Sequence, residues 1–512
     1  MIRSFLTVST GTLASRLLGF ARDAMVAALL GAGPVADAFL VAFQLVNVVR
    51  RLLTEGALNN ALVPAWLGVK ETKGADAAAA FAGRVLGTVS TAVVVATVAA
   101  CVLMSVIISA LAPGFTAATR DLAVDYARLM LPYLAFAGPA TVTMALLNAQ
   151  GRFALTAFAP LLFNGALIAV MIVLFLKGGD ALHAALAIAA TVGLAGLLQL
   201  SILIVRSGGR LATPLRVSFD SEMRGFFAKA IPGMVAGAGP QLLIVVGAII
   251  ASGSASAVSW LYFANRLIEL PLGIVGVAVG AVLVPELARN VHVDDRDAAA
   301  SAQSRGLELA AGLALPATLG LMALSSPMVR LLFQHGAFMA ADTIGTAQAL
   351  VWLSLGLPAQ MLVKTLSPAF FARGDTATPL WATLKGVAVT IALAIVLGRV
   401  FGVQGISAAI ALGAWGSALS LIRHGVTAFG FSIDAAARRR LPRIIVAALA
   451  MGGLLWQIGP RVLTSADASI PVHAVLVAAL IAAGIGLYGL FLALLGVINW
   501  NDAIRALRQS GA

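Results

Sequence analysis

Long runs of apolar residues dominate the chain, and short stretches rich in glycine, proline and charged residues separate them. Each run is long enough for a membrane helix, which needs about 20 residues, whereas the strands of a membrane barrel would alternate apolar and polar positions. The pattern predicts about fourteen spans, at 5–31, 35–66, 80–111, 122–148, 153–176, 182–205, 226–252, 257–288, 305–334, 344–371, 377–399, 402–430, 441–462 and 473–498. The expected fold class is an all-α polytopic membrane protein.

Composition excludes an ordinary soluble protein. Apolar residues make up 61% of the chain and charged residues 11%, against roughly 45–50% and about 25% in soluble domains. The net charge of +13 would indicate nucleic-acid binding in a soluble protein. Here most basic residues lie between apolar runs, so we predict no nucleic-acid partner and interpret the charge as a topology signal.

Lysine and arginine are concentrated after the even-numbered spans. The odd-numbered connections offer little beyond Arg120, Lys177, Arg399 and Arg461. The even-numbered connections carry Lys70, Lys73, Arg152, Arg206, Arg210, Arg216, Arg289, Arg296, Arg373, Arg438, Arg439 and Arg440. Cytoplasmic loops are enriched in these residues, so both termini are expected in the cytoplasm, which requires an even number of spans.

A repeat divides the chain. Leu62-Val63-Pro64 recurs as Leu283-Val284-Pro285, and Arg152 recurs as Arg373 at the same offset of 221 residues. Six spans per copy would give two parallel lobes, an arrangement known in transporters whose substrate site lies between the halves. The predicted domains are an N-terminal lobe of spans 1–6 (1–210), a C-terminal lobe of spans 7–12 (211–435) and two additional helices (436–512).

Ionisable residues inside the predicted spans are the main functional signal, since one charge at mid-membrane costs about 2.5–3.5 kcal/mol on insertion scales. Arg51 and Glu55 are i,i+4, and Arg266 and Glu269 are i,i+3, so each pair can form within its own helix.

Three arginines lack an obvious local partner: Arg16, Arg22 and Arg50. Asp23 is adjacent to Arg22 and is expected to point in another direction, and together with Asp37 it supplies too little negative charge. A guanidinium group offers a permanently charged, bidentate fork to phosphate or carboxylate oxygens. These residues predict an anion receptor, the alternative being that they extend to headgroups or pair between helices.

Other polar residues carry weaker signals. Lys364 and Lys385 are equally consistent with a functional role and with extension to the membrane surface. The histidines lack metal-ligand spacing, Cys101 alone cannot form an intramolecular disulfide, no nucleophile–base arrangement occurs and no phosphate-binding loop motif is present. We therefore expect no metal, no cofactor, no enzymatic activity and no direct use of ATP.

Several motifs resemble the lipid II flippase (MurJ/MviN-like) family. The similarity runs in order along most of the chain. It includes Ser15-Arg16-Leu17-Leu18-Gly19-Phe20-Ala21-Arg22-Asp23-Ala24, Gly31-Ala32-Gly33, Asp37-Ala38-Phe39, Asn47, Arg50-Arg51, Glu55-Gly56-Ala57, Ser259-Trp260, Arg266-Leu267 and Leu283-Val284-Pro285.

The resemblance implies the multidrug/oligosaccharidyl-lipid/polysaccharide exporter superfamily, with two six-helix lobes and two extra helices forming a groove for a lipid tail. It implies translocation of the undecaprenyl-diphosphate-linked peptidoglycan precursor, lipid II, from the cytoplasmic to the periplasmic leaflet by alternating access. Substrate-binding residues would be Arg16, Arg22, Arg50 and Arg266. Residues lining or gating the cavity would be Ser15, Asp37, Asn47, Glu55 and Glu269.

The resemblance also implies a monomer in the bacterial inner membrane, with cell-wall synthesis proteins as candidate partners. The chain departs from the family at Val46, where many relatives have proline, and at Asn265, where an aspartate is common. Spans 7 and 11 contain no Asp or Glu, so the sodium site of some members is not expected here.

Three rival functions remain open. A cation-coupled drug exporter of the same superfamily would need an acidic or aromatic cavity, which the arginines oppose. A flippase for another polyprenyl-linked oligosaccharide would recognise the same diphosphate. A scaffold that recruits cell-wall enzymes would tolerate alanine at the buried arginines.

Overall fold

The computed structural model describes residues 2–54, 57–207, 215–278, 296–371, 373–429, 433–464 and 470–497. Within these ranges the regular secondary structure is helical and no strand is present, which confirms the expected all-α class. The first twelve helices are α1 (Ile2–Leu30), α2 (Pro34–Thr54), α3 (Ala57–Lys73), α4 (Ala75–Val102), α5 (Met104–Leu111), α6 (Ala117–Met130), α7 (Pro132–Ala149), α8 (Phe153–Lys177), α9 (Ala181–Ser207), α10 (Ser221–Gly237), α11 (Gly239–Ala251) and α12 (Ala257–Ala278). After them come α13 (Arg296–Ala323), α14 (Ser325–Phe333), α15 (Ala340–Ser354), α16 (Leu357–Phe371), α17 (Ala377–Phe429), α18 (Ala435–Thr464) and α19 (Ile470–Leu494).

The chain forms two compact units. Unit 1 comprises Met1–Phe263 together with the segment His335–Asp342, and unit 2 comprises Ala264–Gln334 and Thr343–Ala512. The division falls inside α12. The predicted two-lobe repeat stays a prediction, because its second Leu-Val-Pro copy lies outside the described residues.

Unit 1 is built from α1 packed on α8, α8 and α7 packed on α9, and α2 packed on α6. Proline at the first helical position starts α2 and α7, where a missing backbone N–H costs nothing. The connector before α10 lies along α4. Arg84 of α4 forms ion pairs with Asp220 (2.7 Å) and Glu222 (2.6 Å), and these contacts attach the start of α10 to α4.

Unit 2 places α18 against α13 and α19, and α16 against α13 and α17. Ile444, Ala447 and Leu492 form a small apolar core between these helices, and the Tyr488 hydroxyl donates to the Gly312 carbonyl at 2.8 Å. Aspartates cap the N-termini of two helices. Asp434 accepts from the Ala437 N–H at the beginning of α18, and Asp375 accepts from the Thr378 N–H at the beginning of α17.

Eight helices in the described residues are long and apolar enough to cross a membrane, and a ninth span arises if the bent pair α15–α16 counts as one. The predicted count of fourteen is not confirmed. One of the eight, α17, has a 52-residue apolar stretch, about 78 Å at 1.5 Å per residue, more than twice the hydrocarbon core. Its backbone leaves the helical conformation at Gly402 (φ 57°, ψ −136°). This break lies at the predicted boundary between the spans 377–399 and 402–430, so α17 accounts for two spans.

Candidate functional site: a buried arginine cluster and an anion-capped helix

Arg22 and Asp23 form a buried ion pair in α1. The Arg22 Nε and Nη2 atoms lie 2.9 Å and 2.7 Å from Asp23 Oδ1, and the two residues are 6% and 1% exposed. The Tyr262 hydroxyl donates to the same Oδ1 atom at 3.3 Å. The expectation that Asp23 points away from Arg22 is therefore wrong. The long arginine side chain folds back to its neighbour because a buried guanidinium without a counter-charge would cost several kcal/mol.

Asn164 and two aromatic rings complete the surroundings of Arg22. The Arg22 Nη1 atom donates to Asn164 Oδ1 at 2.9 Å, and Asn164 Nδ2 donates to the Ser15 carbonyl at 3.1 Å. The guanidinium carbon lies 4.9 Å from the Phe43 ring centroid and 5.8 Å from that of Phe163. A desolvated cation over an aromatic face gains about 2 kcal/mol. Helices α1, α2 and α8 thus hold this charge in one orientation, with Ser15 contributing its backbone.

Arg50 lies in the same region of unit 1. Its Nε and Nη2 atoms are each 3.4 Å from the Asn47 side-chain oxygen, one turn earlier on α2. Phe43, whose ring lies beside the Arg22 guanidinium, is seven residues before Arg50, two turns away on the same helix. The predicted residues Asn47 and Arg50 therefore lie on the helix that contributes one of the aromatic rings at Arg22.

Arg16 is half-buried, six residues before Arg22 on α1. Its buried Nε atom has no hydrogen-bond partner among the residues that the structure describes. The three arginines predicted to lack a local partner thus lie on α1 and α2, and one of them, Arg22, is bound to the Asp23 carboxylate. Glu55, predicted to pair with Arg51, lies outside the described residues.

Arg266 pairs with Glu269 on α12, as predicted from their i,i+3 spacing. The Nη1–Oε2 distance is 2.7 Å, and the Asn265 amide donates to the other Glu269 oxygen at 3.4 Å. Both side chains of the pair are partly exposed, at 18% and 16%. These residues belong to unit 2.

Asp37 has a different role from the other acidic residues. Its carboxylate, 2% exposed on α2, accepts the Ser256 N–H and the Ser259 N–H, each at 2.9 Å, and also the Ser259 hydroxyl. These donors form the N-terminus of α12, which carries a positive partial charge. Ser256 adopts a left-handed conformation with φ 64°, which is uncommon for a residue with a Cβ. Asp37 is thus an anionic cap for α12 and is bound to no arginine in the described residues.

The segment His335–Asp342, hereafter the docked segment, packs on the end of α1. The Ala337 N–H donates to the Ala28 carbonyl at 2.8 Å. Gly336 (φ 57°) and Gly31 (φ 68°) make this close approach possible. A Cβ at Gly336 would collide with the Ala28 carbonyl, and a Cβ at Gly31 would collide with the Ala337 carbonyl. The docked segment and the Asp37 cap therefore hold the α1–α2 turn from two sides.

Asp342 is the last residue of the docked segment and lies in the first turn of α15. Its carboxylate accepts the Met339 N–H at 2.9 Å and the Trp260 indole N–H at 3.1 Å. Trp260 immediately follows Ser259, so the indole links the docked segment to the same helix end that Asp37 caps. Sequence reasoning missed both Asp342 and Asn164. The sequence feature that could have identified them is a single polar residue in apolar surroundings: Asp342 just before an apolar run and Asn164 in the middle of one.

The remaining candidates add no second site. Lys385 approaches the Ser420 hydroxyl at 3.5 Å. No group of three or more His, Cys, Asp or Glu residues in the described ranges has the arrangement of a metal site.

The helical architecture is the fold seen in solved membrane proteins of the MATE type. The chain is similar to a structure described as an inward-facing conformation of a multidrug resistance MATE family transporter, with a TM-score of 0.66 and 16% identity over 86% of this chain and 98% of that one. It is also similar to a structure described as "Lipid II flippase MurJ, inward closed conformation", with a TM-score of 0.79 and 22% identity over 98% of this chain and all of that one.

Sequence comparison places the chain more narrowly. The family model "Lipid II flippase MurJ" matches residues 26–470. A probable lipid II flippase MurJ of Rhizobium meliloti (strain 1021) is 37% identical over 95% of this chain and 92% of that protein. A lipid II flippase MurJ of Burkholderia cenocepacia is 33% identical over 81% of each chain. The chain belongs to the MurJ lipid II flippase family of multi-pass membrane proteins.

Proposed function

We propose that the protein carries lipid II, the undecaprenyl-diphosphate-linked peptidoglycan precursor, from the cytoplasmic to the periplasmic leaflet of a bacterial inner membrane. The relatives named above support the substrate class. The observation that carries the proposal is the presence of three guanidinium groups on the first two helices of unit 1, buried at Arg22 and half-buried at Arg16 and Arg50, with the Asp23 carboxylate bound to Arg22. A cationic drug would meet electrostatic repulsion there, whereas a diphosphate would meet charge-assisted hydrogen bonds.

Asp23 gives this site a way to alternate between loaded and empty states. With the site empty, Asp23 satisfies Arg22. When a diphosphate arrives, its oxygens replace the Asp23 oxygen on the guanidinium fork. Arg50 and Arg16 supply further positive charge. Asp23 is thus the carboxylate that balances the Arg22 charge in the empty state.

The Asp37 cap and the docked segment form the gate of the proposed transport cycle. Their contacts involve the ends of helices, and such contacts can break and re-form without unfolding any helix. We assign them to the periplasmic side, with both termini in the cytoplasm. The lipid tail stays in the bilayer beside α18 and α19 while the head group crosses by alternating access.

Membrane potential supplies sufficient driving force for this cycle. A charge crossing 100 mV gains about 2.3 kcal/mol, so a head group with roughly two negative charges gains on the order of 4–5 kcal/mol per 100 mV on moving outward. The proposed protein is a monomeric, non-catalytic transporter that uses no cofactor and works beside the enzymes of cell-wall synthesis.

Complementation of a conditional flippase-depletion strain tests the proposal. Arg22→Glu and Arg50→Glu are expected to abolish growth and to leave the precursor in the inner leaflet, at expression equal to that of the unsubstituted protein. Arg399→Glu, an exposed arginine at the end of a predicted span, is the matched control and should support growth. Normal growth of both cluster variants would refute the receptor.

A vesicle assay tests the chemical class of the substrate. The purified protein should translocate a fluorescent polyprenyl-diphosphate saccharide faster than the corresponding monophosphate, because the second phosphate engages additional guanidinium groups. Equal rates for the two lipids would contradict recognition of the diphosphate. Comparing saccharides on one diphosphate then separates lipid II from other polyprenyl-linked oligosaccharides.

A further inference from the structure

The first turns of α18 carry a group of exposed arginines, which we call the basic patch: Arg438, Arg439, Arg440 and Arg443. Arg440 approaches the Glu308 carboxylate at 3.3 Å. The side chains of the other three arginines make no hydrogen bond or ion pair within the part of the chain that the structure describes. The proposed transport site does not use any of them.

The positive charge of the basic patch lies at the N-terminal end of α18, which is unfavourable for a cation. A helix N-terminus is electropositive, so arginines there repel the helix dipole instead of complementing it. Asp434 offsets part of this charge through its bond to the Ala437 N–H at 2.7 Å, and its own N–H donates to Ser304 Oγ at 3.1 Å. Asp434 and Glu308 together leave an excess of positive charge, which an external anion would balance.

An exposed apolar strip continues below the basic patch on the same helix. Ile445 and Leu449 lie seven and eleven residues after Arg438, and Val446 lies seven residues after Arg439, so they share faces with these arginines. Their exposed fractions are 44%, 57% and 54% for Ile445, Leu449 and Val446. The helix Ala435–Gly459 is itself a candidate membrane span. The basic patch and the apolar strip therefore match the two parts of an anionic phospholipid, its phosphate group and its acyl chains.

We propose that the basic patch binds the phosphate groups of anionic bilayer phospholipids, whose acyl chains lie along Ile445, Val446 and Leu449. Clusters of lysine and arginine beside a membrane helix attract anionic lipid by about 1 kcal/mol per residue. The site is separate from the proposed transport cluster, since it lies in unit 2 and is exposed instead of buried. Phospholipid phosphate, and not the substrate diphosphate, is the occupant.

Lipid binding by the full-length protein tests this proposal. The protein is placed in nanodiscs of phosphatidylcholine, and binding of labelled phosphatidylglycerol is titrated. The triple variant R438Q/R439Q/R443Q should bind on the order of 100-fold more weakly. R438K/R439K/R443K keeps the charge and should retain binding. K177Q/R330Q/R399Q removes three other exposed cations and should bind as the unsubstituted protein does.

Three outcomes would overturn the proposal. Unchanged phosphatidylglycerol binding by the glutamine variant would show that the basic patch acts only during membrane insertion. An equal loss in the K177Q/R330Q/R399Q control would show that the binding depends only on total charge. Loss of labelled polyprenyl diphosphate binding with phosphatidylglycerol binding intact would identify the patch as part of the substrate path. Unfolding midpoints measured in the same discs show that each variant is folded.

Discussion

Substituting Gly31 by alanine should release the docked segment from α1. A Cβ added at Gly31 would lie 2.6 Å from the Ala337 carbonyl oxygen and 3.3 Å from the Ala337 Cβ. Gly178 supplies a matched control. It has the same φ of 68°, but nothing lies within 4 Å of an added Cβ. In both variants an alanine must adopt a left-handed backbone conformation, which is strained. Only in Gly31→Ala does the added Cβ also collide with Ala337.

The expected difference is large enough to measure. Left-handed strain costs roughly 1–2 kcal/mol in both variants. A backbone shift that relieves the collision typically costs 1–3 kcal/mol, and the bond from the Ala337 N–H to Ala28 is worth about 1 kcal/mol. An excess of about 2 kcal/mol in Gly31→Ala would lower the ratio of docked to undocked molecules about 30-fold. Gly178→Ala should leave that ratio unchanged.

Spin labels report docking directly. Cys101 is the chain's single cysteine, so Cys101→Ser gives a background in which Ala32→Cys and Met339→Cys can be labelled. The distance distribution should be short and narrow in this background and with Gly178→Ala, and should gain a longer component with Gly31→Ala. Identical distributions for both glycine variants would refute the tight approach that the structure shows. Gly31→Ala is further expected to complement poorly while Gly178→Ala complements well.

Three further predictions concern the carboxylates. Asp37→Asn removes the charge that caps α12 and should destabilise the closed gate by about 1.5–3 kcal/mol, seen as a lower unfolding midpoint and weaker complementation than with a substitution at an exposed aspartate. Asp23→Asn leaves the Arg22 guanidinium buried without a carboxylate and should cost about 3–5 kcal/mol; an unfolding midpoint equal to that of the unsubstituted protein would contradict the ion pair. The bond from the Met223 N–H, then those from Ser218 and Arg84, hold the pKa of Asp220 below its ordinary value. This stabilisation is therefore present above the ordinary pKa and is lost as the pH falls through the lowered one, so Asp220→Asn should flatten the acid side of the stability curve, and an unchanged acid limb would count against it.

The hydrophobic pattern predicted the all-α class well, but it predicted the breaks within the apolar helices poorly. Runs of apolar residues indicate burial in lipid whatever the local geometry, which is why the all-α class was predictable. The break at Gly402 was predictable too, since no membrane accommodates a straight helix of that length. The interruption between α10 and α11 falls at Ala238-Gly239-Pro240. Such breaks follow from backbone geometry within apolar sequence, so hydropathy alone underestimates them and the span count stays unconfirmed.

The arginines were predictable, but their partners were not. Charge in an apolar run is visible in the sequence, and local spacing gave the Arg266–Glu269 pair. Local spacing failed for Arg22, because its side chain is long enough to reach an adjacent carboxylate. Asn164 contacts Arg22 across 142 positions of sequence, and Asp37 reaches Ser259 across 222. Contacts of this separation depend on tertiary packing, which one sequence without relatives does not reveal.

Asp23 and Asp37 are bound to different partners, and this difference affects how the proposed site would release its substrate. Asp37 is bound to the end of α12, so it is not available to the arginine cluster while the gate is closed. In the proposed cycle Asp23 competes with the diphosphate for Arg22, and this competition lowers the affinity of the proposed site by the strength of the ion pair. A transporter gains from this arrangement, because a receptor of three uncompensated arginines would bind a diphosphate too tightly to release it. On the proposed mechanism, Asp23 re-forms its bond with Arg22 as the substrate leaves, which makes departure less costly. The outward membrane-potential gain on the anionic head group would then set the direction of the cycle.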